Sequence, residues 1–555
     1  VARLTALTST TELQSHISQS SDDFAKRSAF MASYVGRVRE VQARIAQSEQ
    51  KQAERAHKAG KLLPRERLGR LLDRGAPFLE LCPIAGYRMY GDTDGSLAGG
   101  NLIAGIGFVS GRRCLVVVWN YAIKGGTITR VTTQKMLRLQ EIARRQRLPI
   151  VSLSESGGGN LEGGGGADPW GALGFIEGGL CYCQQAELSA AGIVQVVVAH
   201  GNATAGGAYH VALCDYVVLV RGQTQLFLAG PPLLKAATGE VAGIEDLGGA
   251  EMHARISGTG EYLAEDDADG IRIAREIMGQ LETPAQLPLD RASELPRCDP
   301  DELIGVVPPD PKLFYDVREI IARIADGSRF LELSAELDQG TVCGHVHLGG
   351  HRAAVIGNNA PITPNGAKKA AELLQLCDQS GTPVIFLQNT TGFLVGVEAE
   401  QQGQVKHGAK MIQAVANARV PKIALVVGNS YGAGNYAMAS RALKPDFVFA
   451  WPSARTAVMG GVQAAKVIRI VAEAKLARAG AELDVATVTA LDAQAQAIEA
   501  GLDALSESMH CSARLFDDGI IDPRDSRKVL LLALETCLEA GRAQVRPNTF
   551  GVARF

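Results

Sequence analysis

The residues of this 555-residue chain best placed to do chemistry are glycines that follow apolar runs. Ser156-Gly157-Gly158-Gly159 comes after the run 149–153, and Thr204-Ala205-Gly206-Gly207-Ala208 comes after 193–199. Glycine lets the backbone take positive φ and lets a ligand approach the main chain, while a helix starting after such a turn leaves its first N–H groups unpaired. Two turns of this kind facing one another make an oxyanion hole. Peptide N–H donors around a thioester carbonyl stabilise an enolate, a contribution of several kcal/mol for a well-aimed set. The second half of the chain repeats the arrangement with Thr391-Gly392 and Gly432-Ala433-Gly434. A single Gly-Gly turn is more often an ordinary strand-to-helix loop. Four turns in two matched sets point instead to function.

Other chemistries lack their residues. There is no glycine loop followed by Lys-Ser or Lys-Thr for a nucleoside triphosphate and no His-Glu-x-x-His. The HVH at 345–347 sits in an alternating pattern that reads as a strand, and Cys181 and Cys183 have neither the spacing nor the partner pair of a zinc site. No metal is expected, and the chemistry rests on backbone dipoles. With 56 basic against 59 acidic residues and a net charge of -3, there is no broad field for a nucleic acid. No run approaches the roughly 20 apolar residues of a membrane-spanning helix, and ten scattered cysteines read as reduced thiols.

The elements that must position the turns follow from hydropathy. LVVVW (115–119), PIVSL (149–153) and IVQVVVA (193–199) alternate with glycine turns and with the helical stretch 132–145, the rhythm of an α/β fold. Residues 21–75 read as helical, with Val35, Val38, Val41 and Ile45 on one stripe. Seven prolines between Glu282 and Leu313 mark a joint. The halves on either side echo each other in order. RLLDRGAPFLEL (70–81) matches ARIADGSRFLEL (322–333), RLPIVSLSESGG (147–158) matches GTPVIFLQNTTG (381–392), and GIVQVVVAHGNATAGGAY (192–209) matches VPKIALVVGNSYGAGNY (420–436). The expectation is an arm over 1–60, a domain over 61–283, a linker over 284–312 and a duplicate domain over 313–555.

Longer motifs carry a resemblance. KLLPRERLGRLLD (61–73), KGGT (124–127), SESGGGN (154–160), TAGGAY (204–209) and FLAGPPLLKAATGE (227–240) resemble the carboxyltransferase β subunit of biotin-dependent acyl-CoA carboxylases. FLQNTTGFLVG (386–396), KHGAKMIQAVA (406–416), SYGAGNYAM (430–438) and WPSARTAVMGG (451–461) resemble its methylcrotonyl-CoA and geranyl-CoA branch. The resemblance implies two crotonase-like (ClpP/crotonase) ββα superhelix domains, the first binding acyl-CoA and the second carboxybiotin, with the active site formed between domains of different subunits. Carboxybiotin would release CO₂, the biotin nitrogen would take the substrate proton, and the enolate would attack CO₂.

By motif position, Gly157, Gly158, Gly159, Gly206 and Gly207 would serve the acyl thioester, and Ala433 and Gly434 the biotin carbonyl. Thr391, Gly392, Phe393, Val395, Gly396, Tyr431 and Asn435 would line the biotin side. Lys124, with Gly125 and Gly126, and Lys135 are candidates for the CoA phosphates; Lys235 and Ala208 are candidates for the acyl pocket. The biotin acceptor signature Ala-Met-Lys-Met is absent, since Gly408-Ala409-Lys410-Met411 matches it only superficially. The family then implies a partner α subunit carrying biotin and biotin carboxylase, and a β-subunit hexamer (a dimer of trimers); the reduced thiols point to a cytoplasmic location, with the mitochondrial matrix as the alternative.

Three departures surround the acyl side. A family aromatic falls on Gly178, Asn120-Tyr121-Ala122 replaces the usual residues before KGGT, and Glu162 with Gly163 to Gly166 replaces a mixed sequence, as either a substrate lid or a surface insertion. Removing an aromatic exposes on the order of 150–250 Å², which favours a longer or bulkier acyl chain. A decarboxylase running the reverse transfer and a non-catalytic assembly subunit would keep the same motifs.

Overall fold

The computed structural model describes residues 11–159, 171–282, 287–310, 313–478 and 484–552. The Gly163 to Gly166 segment lies outside them. The chain divides into two compact units. The first holds Arg39–Leu287, Ala513–Leu515 and Glu535–Phe555; the second holds Val1–Val38, Pro288–Ser512 and Phe516–Leu534. The helix Asp22–Gln50, with Val35, Val38, Val41 and Ile45 buried as its stripe predicts, therefore contributes to both.

In the first unit the hydrogen-bonded order of the sheet is Leu79–Glu80, Leu102–Val109, Arg112–Trp119, Ile150–Ser156, Gln195–Thr204, Tyr216–Val220 and Tyr262–Ala264, with Gln225–Phe227 paired beside the end of Gln195–Thr204. The first three strands are antiparallel and the rest parallel. The parallel strands read as near-continuous Val/Ile/Leu runs because both faces are covered. Val116, Val118, Val151, Val196 and Val198 meet Ile271 and Met278 on one side, and Val197 and Ala199 meet Ala208, Val211 and Leu226 on the other. Crossovers are made by helices Arg130–Gln146 and Gly171–Ala190. Thr129 caps the first of these by accepting the Thr132 N–H at 3.3 Å, and Arg147 ends it in the left-handed conformation.

The second unit repeats seven of these eight strands in the same order and gains its eighth at the opposite edge. Arg329–Glu332, Thr341–Leu348, His351–Asn358, Val384–Thr390, Lys422–Tyr431 and Phe447–Ala450 follow in order, with Thr11–Glu12 at the edge and Arg455–Ala457 beside Lys422–Tyr431. Even irregularities recur. The ladder shifts register between Ser154 and Ser156 in the first unit and between Gln388 and Thr390 in the second. Gly105 and Gly344 occupy matching positions where a Cβ would overlap the carbonyl of Leu79 or Leu331. The two halves are one fold used twice.

Candidate active site

Strand Ile150–Ser156 delivers the first turn. Gly158 has φ +84°, a value that disfavours any side chain, and a Cβ there would approach the Thr204 carbonyl oxygen to 3.0 Å. The Ser156 hydroxyl donates to the Gly126 carbonyl at 2.9 Å and accepts the Gly158 N–H at 3.2 Å. Gly157 N–H donates to Gly125 O at 3.0 Å, and Ile128 N–H donates to Gly158 O at 2.8 Å. The Lys124–Gly126 turn is thus bound to the first glycine turn. Lys124 stays exposed, its Nζ 3.5 Å from Tyr90 O.

The second turn follows strand Gln195–Thr204 and opens helix Gly206–Ala212. Gly206 and Gly207 are its first two residues, so the helix offers their N–H groups no intrahelical acceptor. Ala205 before them has φ 52° and ψ −115°, a strained conformation for a residue with a Cβ, held by its N–H to Phe227 O at 3.1 Å. A Cβ on Gly207 would lie 3.4 Å from Ser156 Cβ, so the two turns adjoin. His210 of this helix is pushed by burial down to about 4, with its ring nitrogens 3.0 Å from Gln185 Oε1 and 3.3 Å from Ser152 Oγ. It carries no charge at neutral pH.

The second unit builds the same pair of turns from different residues. Thr390 stands where Ser156 stands, its hydroxyl accepting the Gly392 N–H at 3.2 Å, while Ile362 N–H donates to Gly392 O at 2.9 Å. Gly392 (φ +122°) replaces Gly158, and Gly432 (φ +58°) replaces the strained Ala205. Helix Gly432–Ala437 presents Ala433 and Gly434 in its first turn, and a Cβ on Gly434 would come within 2.7 Å of Gly392 Cα. Cavities of about 690 Å³ and 280 Å³ flank these turns; the first is lined by Ala433, Asn435, Val448 and Ala450 among others, the second includes Thr390 and Thr391. In each unit a strand-end turn adjoins a helix start whose first N–H groups have no intrahelical acceptor, an arrangement suited to a carbonyl that becomes negative.

Other expected residues fall in several places. Gly178 lies on helix Gly171–Ala190, four residues before Tyr182, whose hydroxyl occupies the space a Cβ on Gly206 would need. Residues four apart share a helix face, so Gly178 sits on the side of the helix that crosses the second turn. A Cβ at Gly178 meets no described atom within 4 Å. Glu177 ties this helix to Arg130 through two contacts of 3.1 Å. Val395 is 84% exposed, and Gly396 in the same segment after Phe393 is exposed too. Phe393 packs against the core and helix Gln404–Asn417. Tyr431 is buried, and Asn435 Nδ2 donates to Ser430 Oγ at 2.8 Å. Lys410 lies within helix Gln404–Asn417.

Two candidates are corrected. Lys135 is fully buried and donates to the carbonyls of Cys82, Gly99 and Leu102 at 2.8–3.0 Å, so its charge braces the fold and cannot reach a CoA phosphate. Ala208 has its methyl in the core and its N–H bonded to Ala205 O at 3.0 Å, which leaves it nothing to offer a ligand. Lys235 is exposed on helix Pro231–Thr238, and no contact among the described residues brings it to the turns. Sequence reasoning placed Ser156 at the head of the first turn but assigned no role to its hydroxyl, nor to that of Thr390 beside Thr391-Gly392.

Comparison with known proteins agrees with this geometry. The family model for the carboxyl transferase domain matches residues 55–551. The chain is 45% identical over 494 residues to the biotin-dependent 3-methylcrotonyl-coenzyme A carboxylase beta1 subunit of Mycobacterium tuberculosis, covering 88% of this chain and 91% of that one. It is 41% identical over 565 residues to a probable methylcrotonoyl-CoA carboxylase beta chain of Drosophila melanogaster, covering 98% and 95%. The crystal structure of the P. aeruginosa geranyl-CoA carboxylase beta subunit is similar at 52% identity and a TM-score of 0.90, covering 98% of this chain and 100% of that chain. The duplicated crotonase-like fold, the paired backbone turns and these relatives together establish that the chain belongs to the carboxyl transferase family, as a carboxyltransferase β subunit of the methylcrotonyl-CoA and geranyl-CoA carboxylase branch.

Proposed function

We propose that this subunit carboxylates a branched, unsaturated acyl-CoA of methylcrotonyl or geranyl type, with the longer chain favoured. The observation that carries the reading is Gly178, which leaves a helix face unfilled one turn from Tyr182 and the Gly206 turn. The acyl thioester carbonyl accepts from the N–H groups of Gly206 and Gly207, those of Gly157 and Gly158 being spent on Gly125 O and Ser156 Oγ, and the acyl chain runs along the open face at Gly178. Lys124, exposed beside the Gly125–Gly126 turn, meets a CoA phosphate.

Biotin belongs on the second unit in this reading. Ala433 and Gly434 offer neutral backbone donors, which suit the neutral urea carbonyl of biotin, and the cavity of about 690 Å³ beside them gives room. When bound, biotin supplies activated CO₂ to the acyl carbon. The chain's own residues hold the enolate, orient the acyl group and keep the carbonyl fixed. A biotin-bearing α subunit is the partner, and six β subunits assemble as a dimer of trimers. Exposed apolar residues support an assembly that covers them: Val467, Ile470 and Val471 on one face of helix Gly461–Arg478, and Phe175 and Ile176 in the first unit. All ten cysteines are free thiols, which supports a reducing, cytoplasm-like compartment. No helix among the described residues is long and apolar enough to cross a membrane.

Assaying the assembled carboxylase against acetyl-, propionyl-, methylcrotonyl- and geranyl-CoA tests the substrate. The expected order of kcat/KM is geranyl, then methylcrotonyl, with the two short substrates far below. A clear preference for acetyl- or propionyl-CoA overturns it.

A further inference from the structure

In the first unit the two strands that carry the turns run in register as far as Ser154–Ala199 and resume at Ser156–Ala203. Glu155 therefore stands alone opposite His200, Gly201 and Asn202, immediately before the turns begin. Fully buried Arg67 fills the gap. Its Nη1 lies 2.9 Å from Glu155 Oε2, and its Nε and Nη2 lie 2.9 Å from Asp267 Oδ2. Asp267 Oδ1 in turn is 2.7 Å from His200 Nδ1. Lys61 adds a second cation on Glu155. The Tyr121 ring covers Arg67 at 4.9 Å, which places one of the three departures from the family pattern within this cluster. A Cβ on Gly201 would lie 2.5 Å from the Glu155 carboxylate, so glycine there admits the clamp.

The second unit has the same bulge, with Asn389 opposite Val427, Gly428 and Asn429, and fills it without charge. Asn389 Oδ1 accepts from Asn429 N–H at 3.3 Å, and the Tyr315 hydroxyl donates to Val427 O at 3.2 Å. Neutral groups therefore suffice to fold this bulge, and buried ion pairs are costly to desolvate. What the charged version adds is a cross-link: the charge-assisted Arg67 Nε–Asp267 and His200–Asp267 hydrogen bonds are short and directional, and the Arg67–Glu155 ion pair at 2.9 Å ties in the other strand. An oxyanion hole works only if its donors stay put as charge develops.

We propose that Arg67 is the positioning residue that sets the spacing of the two acyl-side turns, gripping one strand through Glu155 and the other through Asp267 and His200. The proposal rests on the assignment of these turns to the acyl thioester. Its test uses the assembled carboxylase with Arg67→Lys, which cannot fork to both carboxylates, and Glu155→Gln, which keeps shape and removes charge. Displacement of a catalytic group by about 1 Å costs on the order of 100-fold. The expected result is a 10- to 100-fold fall in kcat with KM for acyl-CoA changed less than about threefold, on the scale of that displacement. If Arg67→Lys fails to assemble, Glu155→Gln carries the test. Lower unfolding temperatures with kcat within about twofold of the parent overturn the proposal, since that is what a purely structural clamp would give. Titration of acyl-CoA against Gly206→Val tests the underlying assignment separately: unchanged binding overturns the assignment, and lost binding upholds it.

Discussion

Replacing Gly178 by phenylalanine tests the acyl reading most directly. The helix accepts the substitution, since a Cβ at this position meets no described atom within 4 Å and removing glycine from a helix interior gains up to about 1 kcal/mol. The new ring occupies the face shared with Tyr182, above the Gly206 turn. Geranyl-CoA exceeds methylcrotonyl-CoA by one five-carbon unit, whose full burial is worth about 4 kcal/mol at roughly 0.8 kcal/mol per carbon. With half of that burial displaced, the loss is about 2 kcal/mol, or roughly 30-fold in relative specificity. The assay is kcat/KM for both substrates with parent and Gly178→Phe holoenzymes. Expected is a geranyl-to-methylcrotonyl ratio lowered about 30-fold, with methylcrotonyl-CoA changed less than about threefold. An unchanged ratio, or an equal fall for both substrates, refutes the idea that the chain runs past this residue.

Other perturbations address the frame around the turns. Ala205→Gly relieves a positive φ that its counterpart Gly432 adopts freely, and should raise unfolding free energy by about 1 kcal/mol in thermal or urea melts; Gly432→Ala should lower it, its Cβ reaching 3.2 Å from Val458 O. Lys135→Met strands three buried carbonyls and should cost at least about 3 kcal/mol, whereas Lys124→Ala should leave the melt unchanged and raise KM for acyl-CoA. Burial pushes the Asp517 carboxyl up to about 7 from 3.8, despite the Ser512 hydroxyl and Gly519 N–H it accepts. Because its folded value is the higher one, folding bears no penalty below pH 3.8 and a growing one as pH rises to 7, reaching at most about 4 kcal/mol for three units. Asp517→Asn should therefore stabilise the protein at pH 8 and hardly at all at pH 4, and a gain independent of pH would count against a buried acid.

Acid stability draws on the clamp itself. Burial raises the Asp267 carboxyl, but the His200 hydrogen bond, the Arg67 charge and the Leu62 N–H outweigh it and hold it at about 2. Its contribution is present above pH 3.8 and lost as pH falls toward 2. Burial, and then the Arg67 charge, lower His200 against the opposing pull of the Asp267 carboxylate it faces.

Much of this molecule was legible without coordinates because its signals are local. Val/Ile runs define strands buried on both faces, and glycine at positions such as 158 and 392 marks a backbone that a side chain would strain. The echo between 147–209 and 381–436 declared one fold used twice. Where local signals were silent, expectation failed or was mute. Ala205 carries the conformation its twin assigns to glycine, and an alanine announces nothing. Lys135 reads as a cation for the CoA phosphates, yet its helix turns it toward three carbonyls that come together only once the loop 82–102 is folded around it. Arg67, Glu155, His200 and Asp267 lie up to 200 residues apart, so no spacing rule links them. Residue types and turns were determined by the chain, because φ preferences and hydropathy act over a few positions; which buried charges meet was decided by packing, because pairing depends on distances that only the closed fold creates.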